Sequence, residues 1–251
     1  AVAAIPEGLP AIVTVALALG VQKMVKKQAI VRALPAVETL GCTTVICSDK
    51  TGTLTQNEMT VRQYYVDGEF INFSGEGYEP RGRISYHTRE KEGRGLKEEK
   101  TLKEGLEQAL KVATLCNNAQ LKKGKLGIDG LFRKNGSASW GIIGDPTEGA
   151  LLVSAAKGGL WRETLEKNET RVQEIPFDSE RKRMTVVYES AAGKRAVYSK
   201  GAPDILLNLC NRVYWQGKVQ MLTTAIKKEI LEANELMTGQ ALRVLGLAYK
   251  E

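Results

Sequence analysis

Ile46-Cys47-Ser48-Asp49-Lys50-Thr51-Gly52-Thr53-Leu54-Thr55 places an aspartate where a β-branched run gives way to a glycine-bearing, hydroxyl-rich loop. The run before it, Thr43-Thr44-Val45-Ile46-Cys47, is short and nearly continuous, the composition of a strand buried in a parallel sheet. Asp49 then falls at the carboxyl end of that strand, the side of an open α/β sheet where ligands bind. A carboxylate is a competent nucleophile toward activated phosphorus and forms an aspartyl-phosphate. Transfer also needs the charge on the moving oxygens neutralised, and Lys50 supplies part of that. Gly52 lets the backbone approach a phosphate, and the loop N–H groups with the Thr51 and Thr53 hydroxyls are donors for its oxygens. The chain has no G-x-x-x-x-G-K-S/T stretch, so this is not a P-loop.

The surrounding composition is that of a globular chain: 251 residues, 43% hydrophobic and 26% charged, enough for one large or two ordinary domains. Cys42, Cys47, Cys116 and Cys210 are scattered without C-x-x-C spacing, which suggests neither a zinc site nor a disulfide framework and fits a reducing cytosol. A formal net charge of +7 suits nucleic acid, a membrane surface or a polyanionic small molecule such as ATP. The basic residues are spread along the chain with no nucleic-acid motif, so nucleic acid is not expected as a partner. Lys23, Lys26, Lys27 and Arg32 follow directly on an apolar stretch, as they do on the cytoplasmic side of a membrane helix.

In that stretch, Ala1 to Val21, Glu7 is the only ionisable side chain, and Pro6-Glu7-Gly8-Leu9-Pro10 interrupts the pattern. Two prolines and a glycine break a helix and free backbone carbonyls, which membranes tolerate where the broken segment lines a site. Freed carbonyls beside a carboxylate make a hard-cation site. A buried soluble helix with a proline kink has the same pattern, since Ala11 to Val21 alone is too short to span a bilayer.

Beyond Val61 the pattern is α+β. Arg62 to Phe73 alternates around Asp67-Gly68, a hairpin signal. Arg81 to Lys100 is charged and glycine-bearing and is expected as a mobile loop, with the single histidine, His87, a solvated residue in it. Leu102, Leu106, Ala109, Leu110 and Ala113 recur at helical spacing up to Cys116-Asn117-Asn118. Asp145-Pro146-Thr147-Glu148 opens the next helix, with Asp145 as N-cap, Pro146 at N1 and Glu148 as the reciprocal capping-box residue, and Gly158-Gly159 closes it. Arg181 to Tyr188 and Arg195 to Lys200 are expected as adjacent antiparallel strands, Pro203 as the start of a helix through Cys210, and Thr224 to Gln240 as a final helix before a strand from Ala241 to Ala248.

Asp49-Lys50-Thr51-Gly52-Thr53-Leu54-Thr55 resembles the phosphorylation motif of the P-type cation-transporting ATPases, whose catalytic domain belongs to the haloacid-dehalogenase superfamily. Pro6-Glu7-Gly8-Leu9-Pro10 resembles the ion-binding break in the fourth membrane helix of the calcium-transporting, sarco/endoplasmic-reticulum-like group. The resemblance implies an α/β and α+β chain in four parts. Residues 1–22 would be part of a transmembrane helix, 23–41 a stalk, and 42–60 the first part of the phosphorylation domain. Residues 61–251 would be an inserted nucleotide-binding domain, an antiparallel sheet flanked by helices.

The family also implies roles. Asp49 would take the phosphoryl group, with Lys50 and Thr51 beside it, and Mg2+ would be held by Asp49 and the Thr51 carbonyl. Glu7 and the carbonyls of Val2, Ala3 and Ile5 would ligate the transported Ca2+. Gly144-Asp145-Pro146-Thr147-Glu148 and Phe177-Asp178-Ser179-Glu180-Arg181-Lys182-Arg183-Met184 resemble nucleotide-domain motifs, as does Lys200-Gly201-Ala202-Pro203-Asp204. By that likeness Glu148 contacts the adenine amine, Phe177 stacks on the base, and Lys182 and Lys200 border the pocket. Gly201 lets the base near the backbone, and Arg243 contacts phosphate.

The family's later T-G-D loop, catalytic lysine, G-D-G-x-N-D aspartates and last nucleotide-domain strand lie beyond this sequence. The expectation is therefore a piece of an integral membrane pump of the bacterial plasma membrane, cytoplasmic from about residue 23 onward. It should bind ATP without turning it over, and its first 60 or so residues should lack support. Three alternatives stay open: a pump for manganese or another divalent cation, a nucleotide-binding module, and a soluble phosphatase of the same superfamily. The last usually carries D-x-D-x-T/V, from which Lys50-Thr51 departs.

Overall fold

The structure, a computed structural model, describes residues 8–87, 96–124 and 139–250. It divides into two compact units, Ala1–Gln56 and Asn57–Glu251.

In the first unit, α1 spans Leu9–Lys26, with Gly8 as N-cap and Pro10 in the first turn, where a missing N–H costs nothing. It stops sooner than a continuous stalk would. Gln28 is left-handed (φ 64°), and the Gln28 and Ala29 N–H groups donate to the Val25 and Met24 carbonyls, the two bonds of a Schellman ending. A second helix, α2, covers Pro35–Gly41. The expected strand at Thr43–Cys47 does not form: the run is without regular structure, and Ile46 is 84% exposed. A parallel strand needs a neighbour to take up its backbone groups, and the described residues of this unit contain no other strand. Asp49, also exposed, is extended (φ −70°, ψ 149°), and Lys50–Leu54 closes one π-type turn in which Gly52 is left-handed (φ 76°). Helix α1 is long and apolar enough to cross a membrane, and none of its residues is buried.

The second unit is built around one helix. Strands β1 (Gln63–Val66), β2 (Glu69–Phe73) and β3 (Ile84–His87) form an antiparallel sheet. The β1–β2 turn is Asp67-Gly68 with both φ positive (57° and 80°), the twist that two-residue hairpins prefer. Strand β3 falls inside the expected loop, because Ile84 and Tyr86 continue the apolar packing and pair with Phe73 and Ile71. His87 ends β3 opposite Phe70, so it belongs to the sheet rather than to a loop. Helix α3 runs Leu96–Leu115, the hairpin β4 (Gln120–Gly124) with β5 (Ser139–Ile143) follows, and α4 spans Pro146–Lys157.

After a short helix α5 (Arg162–Leu165), β6 (Glu169–Asp178), β7 (Arg183–Ser190) and β8 (Arg195–Gly201) form an antiparallel sheet, joined at β8 by β11 (Gly246–Lys250) in the order β11-β8-β7-β6. Between β8 and β11 come α6 (Pro203–Leu209), the hairpin β9 (Arg212–Trp215) with β10 (Lys218–Met221), and α7 (Thr224–Gly239). Two stripes of α3 serve two cores. Leu102, Leu106 and Leu110 pack with Tyr64, Ile71, Phe73 and Ala155, while Val112 and Leu115, with Cys116 just past the helix end, pack with Met184, Val186, Tyr188 and Tyr198. The carboxyl end of α3 therefore sits over the four-stranded sheet, which decides where the candidate site lies.

Candidate nucleotide-binding site

One row across the four-stranded sheet collects most of the predicted residues. Asp178 of β6 lies opposite Arg183 of β7, Arg183 opposite Gly201 of β8, and Gly201 opposite Gly246 of β11. Phe177, Lys182 and Lys200 are each one residue from that row, and Arg243 is three before it. Arg243 stands in the loop before β11 and not on the strand, because the strand begins only at Gly246.

Helix α4 brings Glu148 to the same region. Asp145 caps it as expected, its Oδ1 accepting from the Thr147 and Glu148 N–H groups at 2.8 and 3.3 Å. Glu148 is not the reciprocal half of a capping box. Its Oε1 accepts from Lys200 Nζ at 2.5 Å and its Oε2 from the Asn118 N–H at 3.0 Å. The pair is largely withdrawn from water, with 10% of the Lys200 side chain and 15% of the Glu148 side chain exposed. Thr147, next to Glu148, accepts from Arg243 Nη1 at 3.1 Å and donates to Met59 Sδ at 3.3 Å. The helix start is thus tied to Lys200 on one side and Arg243 on the other.

Phe177 is 64% exposed, where a core phenylalanine at a strand end would be covered. It sits in an irregular part of β6, where the register shifts between Ile175 and Asp178. Past it, Asp178 accepts from the Glu180 and Arg181 N–H groups, which turns the chain and, led by the Arg181 N–H, lowers the carboxyl pKa. Lys182 ends this turn in the left-handed region (φ 51°) with its side chain exposed. Cys116, under the site, donates to the Met184 carbonyl at 3.6 Å, and burial pushes its thiol up to about 11, so it is a packed neutral thiol.

Gly201 is needed by the protein itself rather than only by a ligand. A Cβ there would lie 2.4 Å from the Lys182 carbonyl oxygen and 2.6 Å from Arg183 Cβ. Gly201→Ala should therefore cost about 1–3 kcal/mol in a urea melt, as overpacking does. A neutral result would mean that the β7–β8 pairing opens at this row.

Asp49, Lys50 and Thr51 belong to the other unit, and Val2, Ala3, Ile5 and Glu7 lie outside the described residues. No cluster of three or more His, Cys, Asp or Glu suited to a metal ion occurs among the described residues. A groove of about 520 Å3 between β3, α3 and α5 is lined by none of the predicted residues. The candidate site is a shelf on the sheet and helix ends, floored by Glu148 and Lys200.

The sequence assigns no role at the site to Thr147, to Met59 or to the Asn117-Asn118 end of the helical stripe, although the fold brings all of them there. A pair of asparagines just past a helical stripe is a readable turn signal, but nothing in it tells which carboxylate the turn will meet.

Comparison with known proteins decides the family. The family model described as P-type ATPase, cytoplasmic domain N, matches residues 105–251, more than half of the chain. The chain belongs to the P-type ATPases. This P-type ATPase chain is 47% identical over 250 residues to a calcium-transporting ATPase of Bacillus subtilis, a match covering 100% of the chain and 26% of that protein. It is 42% identical over 254 residues to a cation-transporting ATPase of Synechocystis sp., and 41% identical over 251 residues to calcium-transporting ATPase 1 of Bacillus cereus, covering 100% of the chain and 26% and 24% of those proteins. The chain thus spans about a quarter of the length of these relatives. Within residues 105–251, which match this family's N domain, the described residues form antiparallel strands and helices.

Proposed function

We propose that residues 57–251 bind ATP on the shelf formed by Glu148, Lys200, Phe177 and Lys182, with Arg243 and Thr147 at its edge. The observation that carries this is the convergence, at one end of one sheet, of an exposed aromatic ring, a paired carboxylate and several cations. An aromatic face receives a base, a carboxylate accepts from an exocyclic amine, and a forked guanidinium suits phosphate.

In the whole protein, a carboxylate oxygen of Asp49 would attack the γ-phosphorus, forming the aspartyl-phosphate while the bond to ADP breaks. Lys50 would offset charge on the moving oxygens. Magnesium is usually held by one or two carboxylates together with substrate phosphates. One exposed carboxylate, Asp49, with the Thr51 carbonyl two residues on fits this chain's share of such a site. The ion would neutralise phosphate charge there.

The cargo we propose is calcium, by analogy with the relatives of that name, with Glu7 and the Val2, Ala3 and Ile5 carbonyls among its ligands. The Synechocystis relative is named only as cation-transporting, which keeps manganese or another divalent ion as the second reading. Helix α1 would lie in a bacterial plasma membrane, with the chain from about residue 23 onward cytoplasmic.

The test is a calorimetric ATP titration of the chain beside Phe177→Ala. Because Phe177 is 64% exposed, the variant should fold as the parent does. Loss of a base–aromatic stack should weaken ATP binding at least about tenfold. Equal affinities would remove Phe177 from the site.

A further inference from the structure

Glu148 owes its setting to a turn, and the turn to an arginine that lies outside the site. Arg162, the first residue of α5, donates from Nη1 to the Ala119 carbonyl at 2.8 Å and from Nη2 to the Thr114 and Asn117 carbonyls at 3.1 and 3.0 Å. The Thr114 contact alone would cap the carboxyl end of α3. The other two lie past the helix end and serve the turn.

The Asn117 carbonyl and the Asn118 N–H belong to one planar trans peptide unit, in which the two groups point in opposite directions. Pinning that carbonyl to Arg162 therefore aims the Asn118 N–H away from Arg162, and it meets Glu148 Oε2 at 3.0 Å. Asn117 closes the turn from inside, its Oδ1 accepting from the Ala119 N–H at 2.9 Å and its Nδ2 donating to the Glu148 carbonyl at 2.9 Å. Arg171 adds to the hold, with Nη1 3.5 Å from the Asn117 carbonyl and 2.8 Å from Asn118 Oδ1.

The consequence is chemical. A carboxylate is acceptor-only, with about four lone-pair positions. One is directed by Asn118 and one by Lys200, which fixes where the remaining two point. A purine with a 6-amino group offers a donor to them. A 6-oxo purine presents an acceptor, which the carboxylate repels.

We infer that Arg162 is a positioning residue for base selection, holding the Asn117–Asn118 peptide so that Glu148 prefers a 6-amino over a 6-oxo purine. The inference rests on the reading of Glu148 as the contact to the base.

ATP and ITP differ at this position, so the test is their affinity ratio, measured by calorimetry on the whole chain with Glu148→Gln, Arg162→Lys and Arg162→Gln. The parent should favour ATP, and Glu148→Gln should erase the preference. The Arg162 variants should reduce the ratio roughly fivefold, the worth of one misdirected hydrogen bond, and leave ITP affinity unchanged. A lower melting temperature with an intact ratio would make Arg162 a structural brace only and overturn the inference, while the Glu148 reading stands. A parent without preference, or a Glu148→Gln variant that keeps it, would remove that reading and this inference together. Should neither Arg162 variant fold, hydrogen exchange at the Asn118 amide of the parent decides. Slower exchange with ATP than with ITP is expected, and equal exchange overturns the inference.

Discussion

Glu148→Ala should lower the stability of the chain by about 3–5 kcal/mol, the cost of leaving one member of a buried ion pair unpartnered. The Lys200 side chain is 10% exposed and its ammonium lies 2.5 Å from Glu148 Oε1. Removing the carboxylate also takes away the acceptor of the Asn118 N–H. Lys200→Met should cost less, about 1–2 kcal/mol, because methionine keeps most of the stem's packing and Glu148 retains its backbone donor. The double variant should be more stable than Glu148→Ala alone, since the uncompensated charge is gone. Urea melts of the four proteins give the coupling directly. A Glu148→Ala cost under about 1 kcal/mol, the range of an exposed pair, would mean that water reaches Lys200 freely and that the shelf has no floor.

That pair marks the boundary of what the sequence discloses. Local signals were legible wherever one segment contains its own cause. The Asp67-Gly68 hairpin, the leucine stripe of α3, the Asp145 cap and the β7–β8 pair all stand as their residues imply. The misses are places where a distant group decides. Ile84 to His87 reads as charged loop until β2 supplies a pairing edge. Thr43 to Cys47 reads as strand, yet finds no such edge.

At the site the residue types were readable and their partners were not. Glu148 has the look of a capping box because Asp145 stands three residues before it. Only the fold brings up Lys200 and Asn118, 52 and 30 residues away, to claim its oxygens. Gly201 likewise suggests room for a base, and only the fold adds a second demand, since a Cβ there would lie 2.4 Å from the Lys182 carbonyl oxygen.

Asp49→Asn should reduce the acid-stable phosphoenzyme formed from ATP to background. The assay needs the rest of a pump. A suitable form is a chimera in which this chain replaces the matching 26% of the Bacillus subtilis calcium-transporting ATPase. Asparagine keeps the size and shape of the side chain, but its amide oxygen is a poor nucleophile and carries no charge to bond phosphorus. Asp49 is exposed and caps nothing with its side chain, so the substitution leaves folding unchanged. ATP affinity should be unchanged as well, since Glu148, Phe177 and Lys200 belong to the other unit. Loss of the intermediate with ATP binding intact assigns the covalent step to Asp49. An undiminished intermediate in Asp49→Asn would place the phosphoryl acceptor on another residue and leave Asp49-Lys50-Thr51-Gly52-Thr53-Leu54-Thr55 without its proposed chemistry.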